Sequence, residues 1–130
     1  MRADPALEGK VYPAVAFTVD PERVERFAAV FGGEPGVVPP TFVTVAEWAA
    51  FPQIAEDPEL ELDFSRVVHA EQGYEWRRPL LAGETLTVRP RIASVREKGG
   101  HGFLTVETEL TGSDGEVAVL ARTTLVERGI

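Results

Sequence analysis

The spacing of apolar residues changes character along the 130-residue chain. In the stretch Val11 to Val19, Val15, Phe17 and Val19 fall at every second position, the mark of a strand. From Asp20 the period lengthens. Val24, Phe27, Ala28 and Phe31 share one face at helical spacing, with Glu22, Arg23, Glu25 and Arg26 outside. Asp20-Pro21-Glu22 supplies an N-cap carboxylate, a first-turn proline and a first-turn negative charge, and Gly32-Gly33 ends the helix.

A second helical stretch, Val37 to Pro52, is apolar almost all the way round. Phe42, Val45, Ala46 and Ala49 mark one side and Val43, Ala50 and Phe51 another, while Trp48 fills much of the rest. Only Thr41, Thr44 and Glu47, spaced by three, form a polar stripe. Proline suits a first turn and disfavours helix in the residue before it, so Pro39-Pro40 and Pro52 bracket a predicted helix of about three turns. A helix this apolar is surrounded by protein. Gln53 to Asp63, with Pro58 in its middle, reads as a loop holding at most a turn of helix.

From Val67 onward the pattern is that of strands. They are expected over Val67–Arg78, Thr85–Glu97, Phe103–Thr111 and Glu116–Glu127. The connections are Leu80–Glu84, the Gly-rich Lys98–Gly102 and the turn Gly112-Ser113-Asp114-Gly115. Leu86, Val88, Pro90 and Ile92 share one face, and Pro90 belongs at an edge or a bulge. Turns every dozen or so residues, with no helix between, predict an antiparallel meander. The fold class is α+β: one domain over residues 1–130, an antiparallel sheet wrapped around a central helix. Such a sheet leaves one side of the helix incompletely covered, which predicts pairing with a second copy or a homologue.

Composition narrows the function. A formal net charge of −8 disfavours non-specific nucleic-acid binding, though not a phosphate-bearing ligand held by a few arginines. The absence of cysteine removes disulfides, thiolate catalysis and cysteine-ligated zinc. No apolar run approaches the ~18–20 residues of a membrane span, and Met1-Arg2-Ala3-Asp4-Pro5 lacks a signal-peptide core, so a cytoplasmic protein away from membranes is expected.

The candidate chemistry is sparse. Alternation over Val67–Arg78 puts Val68, Ala70, Gln72, Tyr74 and Trp76 on one face and His69, Glu71, Gly73, Glu75 and Arg77 on the other. On that parity His69 and Glu71 point away from the core; a bulge at Gly73 would instead turn them inward beside Trp76. His69 is therefore either a ligand- or partner-facing group or an ordinary surface histidine. Gln72, polar on an apolar face, is either a groove residue or a core amide bonded to backbone. Arg77 and Arg78 suit phosphate oxygens or simply balance Glu75. Glu47 is either a base or nucleophile toward a thioester or an exposed helix carboxylate beside Thr44. His101 sits at a hairpin tip. No metal cluster, nucleotide loop or Ser-His-Asp constellation is visible.

The run Val67-Val68-His69-Ala70-Glu71-Gln72-Gly73-Tyr74-Glu75-Trp76-Arg77-Arg78-Pro79-Leu80-Leu81-Ala82-Gly83-Glu84-Thr85-Leu86 resembles the corresponding block of MaoC-like hotdog dehydratases. The similarity is to the N-terminal, fatty-acid-synthase-type dehydratase group, which includes non-catalytic subunits of mycobacterial (3R)-hydroxyacyl-ACP dehydratases. Pro39-Pro40-Thr41-Phe42 and the closing Ala121–Gly129 fit the same pattern. The resemblance implies a hotdog fold, a homodimer or a heterodimer with a MaoC-like catalytic subunit, and a groove beside the central helix for an acyl-CoA or acyl-ACP thioester. It places Thr41, Phe42, Gln72, Trp76 and Arg77 toward substrate and calls for no cofactor and no metal. The family chemistry is reversible dehydration. A base takes the C2 proton, an acid protonates the departing 3-hydroxyl, and a helix N-terminus polarises the thioester carbonyl.

One departure governs the mechanism. Competent members carry Asp and His in an Asp-x-Asn-Pro-x-His-like loop between the first and central helices, whereas here that link is Gly32-Gly33-Glu34-Pro35-Gly36. The segment that caps the acyl groove is missing too. The expectation is an acyl-thioester-binding subunit without its own reaction centre. The alternatives are a stand-alone dehydratase or thioesterase using Glu47, His69 or Glu71, and a homodimer that binds acyl ligands without chemistry.

Overall fold

The computed structural model describes all residues, Met1 to Ile130. Strand β1 (Val15–Thr18) leads into helix α1 (Pro21–Phe31). A 3₁₀ turn over Pro40–Phe42 then opens the central segment, which continues as α2 (Val43–Trp48) and, after a turn, α3 (Pro52–Ala55). Four long strands follow: β2 (Val67–Trp76), β3 (Thr85–Lys98), β4 (His101–Thr111) and β5 (Val117–Glu127).

The start of α1 is as its sequence dictates. The Asp20 carboxylate accepts from the Glu22 N–H, Pro21 occupies the first turn, and Gly32 ends the helix at φ +87° while its N–H still reaches Ala28 O. The central segment is less regular than a single three-turn helix. Its N–H groups at Ala49, Ala50 and Phe51 reach back only three residues, and Pro52 has no N–H to continue the ladder. Its burial is as expected. Phe42, Val43, Ala46, Ala50 and Ile54 are all 1% exposed or less. Phe42 packs against Phe17 and edge-on against Phe27, whose ring centroid is 5.4 Å away. Sealing one such ring is worth roughly 1.5–3 kcal/mol.

All five strands form one antiparallel sheet in the order β1-β3-β4-β5-β2. The expected meander therefore holds for β3, β4 and β5 but not for β2, which pairs with β5 at the far edge. The link from β2 to β3 lacks the two-residue glycine turn of a tight hairpin and is long enough to cross the end of the sheet. Arg78 and Glu84 clamp it at 2.7 and 3.0 Å, and Leu81 N–H donates to the same carboxylate. Arg78 thereby holds Glu84 below the usual carboxylate range. Pro90 lies just past the end of β1, where β3 has lost its regular neighbour, and a bulge follows between Ile92 and Ser94.

The inner face of the sheet closes on the central segment as two apolar clusters. One gathers Phe17, Val24, Phe42, Leu86, Leu110 and Val119; the other gathers Tyr12, Ile54, Leu60, Ile92, Leu104 and Leu125. The acidic stretch after α3 is anchored by Asp57, which accepts from Tyr12 OH at 2.6 Å and Lys10 Nζ at 2.7 Å. Burial opposes ionisation of Asp57, but the bonds from Lys10 and Tyr12 outweigh it and hold the carboxyl below its ordinary value.

Candidate functional site

Three of the buried polar side chains, Glu47, Thr108 and Thr123, line one small hollow together with Trp48, Phe51 and Ile54. Glu47 is only 6% exposed, which corrects the expectation of an open polar stripe on the central helix. The wrapped sheet covers that side of α2, and the stripe survives because the strands bring donors to it. Gln72 Nε2 reaches both carboxylate oxygens at 3.0 and 3.2 Å, Tyr74 OH donates at 2.9 Å, and the Thr123 hydroxyl donates to Oε2. Thr44 Oγ1 meets Tyr74 OH at 2.8 Å. Burial and the Glu47 charge push the Tyr74 phenol up, although the Thr44 contact pulls the other way.

The relay continues to the surface. Gln72 Oε1 lies 2.7 Å from the Thr123 hydroxyl and 2.9 Å from His69 Nε2, which also faces Glu71 O at 3.1 Å. His69 leans on Trp48 with ring centroids 5.8 Å apart. Trp48 stacks on Phe51, and Phe51 on the half-exposed Phe64.

His69 and Gln72 meet because of a bulge that simple alternation misses. His69 pairs with Leu125 and Gln72 with Thr123, both inward positions of β5, while Ala70 has no partner. The extra residue is Ala70 rather than Gly73, and it moves His69 to the helix-facing side. Glu71 pairs with Thr124 and faces the opposite side of the sheet, so it is separated from Glu47. Bulges at alanine carry no composition signal. The roles of Tyr74, Thr44 and Thr123 were equally unmarked, because each reads as an ordinary strand or helix residue until β2 and β5 are paired.

A second feature lies at the other end of β2. Val38, Pro39 and Pro40 face Trp76, Pro79 and Leu80 across an open cavity of about 310 Å³, with Arg77 and Arg78 at its wall. Arg78 is committed to Glu84. Arg77 is exposed and meets only Glu75, at 3.9 Å. Trp76 and Arg77 both line this cavity. Phe42 does not. It has no exposed surface and belongs to the core, a correction to its proposed contact with substrate. Thr41 is exposed on the 3₁₀ turn, outside the cavity lining.

The link between α1 and the central segment stays close to the helix end. A Cβ on Gly33 would sit 3.2 Å from Pro39 and 3.3 Å from Ala28. Beside it, Val30 and Phe31 are 75% and 70% exposed, although Phe31 has the helical spacing of a core residue and stacks on Phe27. Nothing in this chain covers them. The segment Gly32–Val37 contains one ionisable side chain, Glu34. No three His, Asp or Glu side chains converge as metal ligands, and no helix is long and apolar enough to cross a membrane.

Comparison with known proteins bears on this arrangement. Residues 25–121 match the family described as FAS1-like, dehydratase domain region. A UPF0336 protein of Saccharopolyspora erythraea is 36% identical over 146 aligned positions, covering 99% of this chain and 94% of the relative. An alignment of 146 positions on a chain of 130 residues leaves at least 16 relative residues without a counterpart. Among solved structures, a chain of the C-terminally truncated HadBC (3R-hydroxyacyl-ACP dehydratase) complex of Mycobacterium tuberculosis is 28% identical with a TM-score of 0.79. The match covers 92% of this chain and 96% of that one. A MaoC-like dehydratase of Phytophthora capsici shares the fold at a TM-score of 0.81 and 19% identity, over all of this chain and 51% of that one. The hotdog arrangement expected from sequence is the one observed.

Proposed function

The chain belongs to the FAS1-like dehydratase-region family, and from that premise we propose that it is the acyl-thioester-binding, non-catalytic subunit of a hydroxyacyl-thioester dehydratase. The observation that carries this reading is the α1-to-α2 link. Dehydration needs one group to take the C2 proton and another to protonate the leaving hydroxyl. Gly32–Val37 offers a single glutamate and no histidine; the carboxylate that shares its hollow is Glu25 of α1, and no imidazole lines that hollow. Val30 and Phe31, at the end of α1 beside this link, are left bare.

What remains is a scaffold with a binding surface. The groove between Val38–Pro40 and Trp76–Leu80 is largely apolar, with Arg77, loosely paired to Glu75 at 3.9 Å, in its lining. That combination suits an acyl chain continued by an anionic carrier, coenzyme A or a phosphopantetheinyl protein. The outer edge of β2 pairs with no strand of this chain. An unpaired ten-residue strand is a ready site for a homologous subunit, which would bring the Asp/His loop that this chain lacks. The Glu47 reading as a stand-alone base is less well supported. Three donors already occupy its oxygens, and it is only 6% exposed.

The test is hydration of crotonyl-CoA. The purified chain alone is expected to show no turnover above background, and activity is expected when a MaoC-like catalytic chain is bound to it. Robust turnover by the chain alone would refute the reading.

A further inference from the structure

The groove has a packed floor and one exposed aromatic wall. Val38 and Leu80 are buried members of the same apolar cluster as Phe42 and Leu110, so core packing holds them. Trp76 is 39% exposed and belongs to neither apolar cluster. The aromatic ring beside it is Tyr74, two residues earlier on β2, with centroids 6.3 Å apart and planes tilted by 47°. Both side chains face inward, since Tyr74 pairs with Ala121 and Trp76 with Val119, two buried residues of β5. At this separation two rings attract through edge and face as well as through contact area, so fixing one fixes its neighbour.

Tyr74 is in turn held at its far end. Its hydroxyl donates to Glu47 Oε1 at 2.9 Å, and the Thr44 hydroxyl lies 2.8 Å away. The one phenol proton points at Glu47, so Thr44 is the donor in the second bond. Burial raises the phenol above its ordinary value, which keeps that proton in place. Both partners belong to α2, whereas Tyr74 belongs to β2. Going down β2 from the groove, Tyr74 is the first residue bonded to the central segment; Gln72, through Glu47, is the next. A para hydroxyl tied at two points leaves neither ring torsion free.

We propose that Tyr74 is a positioning residue for this chain's own groove, holding the Trp76 wall in place for an acyl chain through its bonds to Glu47 and Thr44. The proposal rests on the acyl binding put forward above. It gives the buried carboxylate a part in binding that needs no contact with a thioester. Glu47 anchors Tyr74, Tyr74 backs Trp76, and Trp76 meets the chain. Arg77, the residue suited to an anionic carrier, pairs only with Glu75 and stands outside this line of contacts. The acyl part of the ligand, and not the carrier part, therefore depends on Tyr74.

The experiment is calorimetry on the full chain and its Tyr74→Phe variant, with decanoyl-CoA and free CoA as probes, joined to ¹⁹F NMR after 5-fluorotryptophan labelling. Trp76→Phe assigns the Trp76 line. Tyr74→Phe keeps the ring and removes both bonds. It is expected to weaken decanoyl-CoA about tenfold, the worth of about two methylenes withdrawn from contact, and to leave CoA binding unchanged. The Trp76 line, single and sharp in the parent, should broaden or split. Tyr12→Phe cuts the other buried phenol bond, to Asp57, and as the control for lost stability should change neither readout. Thr44→Val removes one of the two bonds and should move both readouts the same way by less, which keeps the test in place should Tyr74→Phe fail to fold. An unmoved Trp76 line in Tyr74→Phe, or an unchanged affinity for decanoyl-CoA, would overturn the proposal while leaving the functional reading intact. Equal weakening of both probes, or the same losses in Tyr12→Phe, would also overturn it, since either marks a general loosening. No binding of decanoyl-CoA by the parent would overturn both.

Discussion

A carboxylate in the middle of a core has to receive from the protein the donors that water would otherwise supply. Glu47 receives them from β2 and β5, so one side chain of the central helix ties together the two strands that end the sheet. Glu47→Ala strands the donors of Gln72, Tyr74 and Thr123 at once. It is expected to cost about 3 kcal/mol, read as a lowered urea midpoint at unchanged m. Glu47→Gln, which keeps an acceptor, should cost less. The two tyrosines give an independent check. Burial raises both phenols above their ordinary value, reinforced at Tyr12 by its bond to Asp57 and at Tyr74 by the Glu47 charge. Phenols of the unfolded chain ionise near pH 10 while the folded chain keeps its protons, so stability is whole below pH 10 and falls as pH rises further. Since Tyr12 and Tyr74 are the only tyrosines, tyrosinate absorbance should appear together with loss of far-UV circular dichroism. Tyrosinate absorbance rising near pH 10 in a still-folded chain would contradict this.

At the scale of elements, periodicity carries most of the fold. The Asp20 cap, the Gly32 stop and the inward set Leu86, Val88, Pro90 and Ile92 follow from spacing and stereochemistry alone, and each is found as expected. Phe42 shows how strongly the central segment depends on such packing. Phe42→Ala is expected to cost about 4 kcal/mol, measurable by denaturant titration, because Phe17 and Phe27 cannot both move into the space. The strand order and the candidate site were less legible for one shared reason. Which strand lies beside β2 is a non-local choice, and local sequence at Val67–Trp76 does not encode it. Without β5 opposite, neither the Ala70 bulge nor the meeting of Gln72 with Thr123 can be read. Glu47 was misplaced for the same reason, since its burial depends on strands more than twenty residues away.

For the molecule as a whole, the apolar wrap leaves two surfaces that bear on assembly, the outer edge of the ten-residue β2 and the end of α1 with Val30 and Phe31. Both openings are surfaces that the proposed second subunit would cover. The short link after α1 has a further meaning in chain statistics. Inserting about 16 residues there would roughly triple a connection that now runs from Gly32 to Pro39, and closing the longer loop would cost about 1 kcal/mol in configurational entropy. Folding therefore exerts no pull to keep such a segment. A short link makes the scaffold slightly easier to close, and only binding or catalysis could hold a longer one in place.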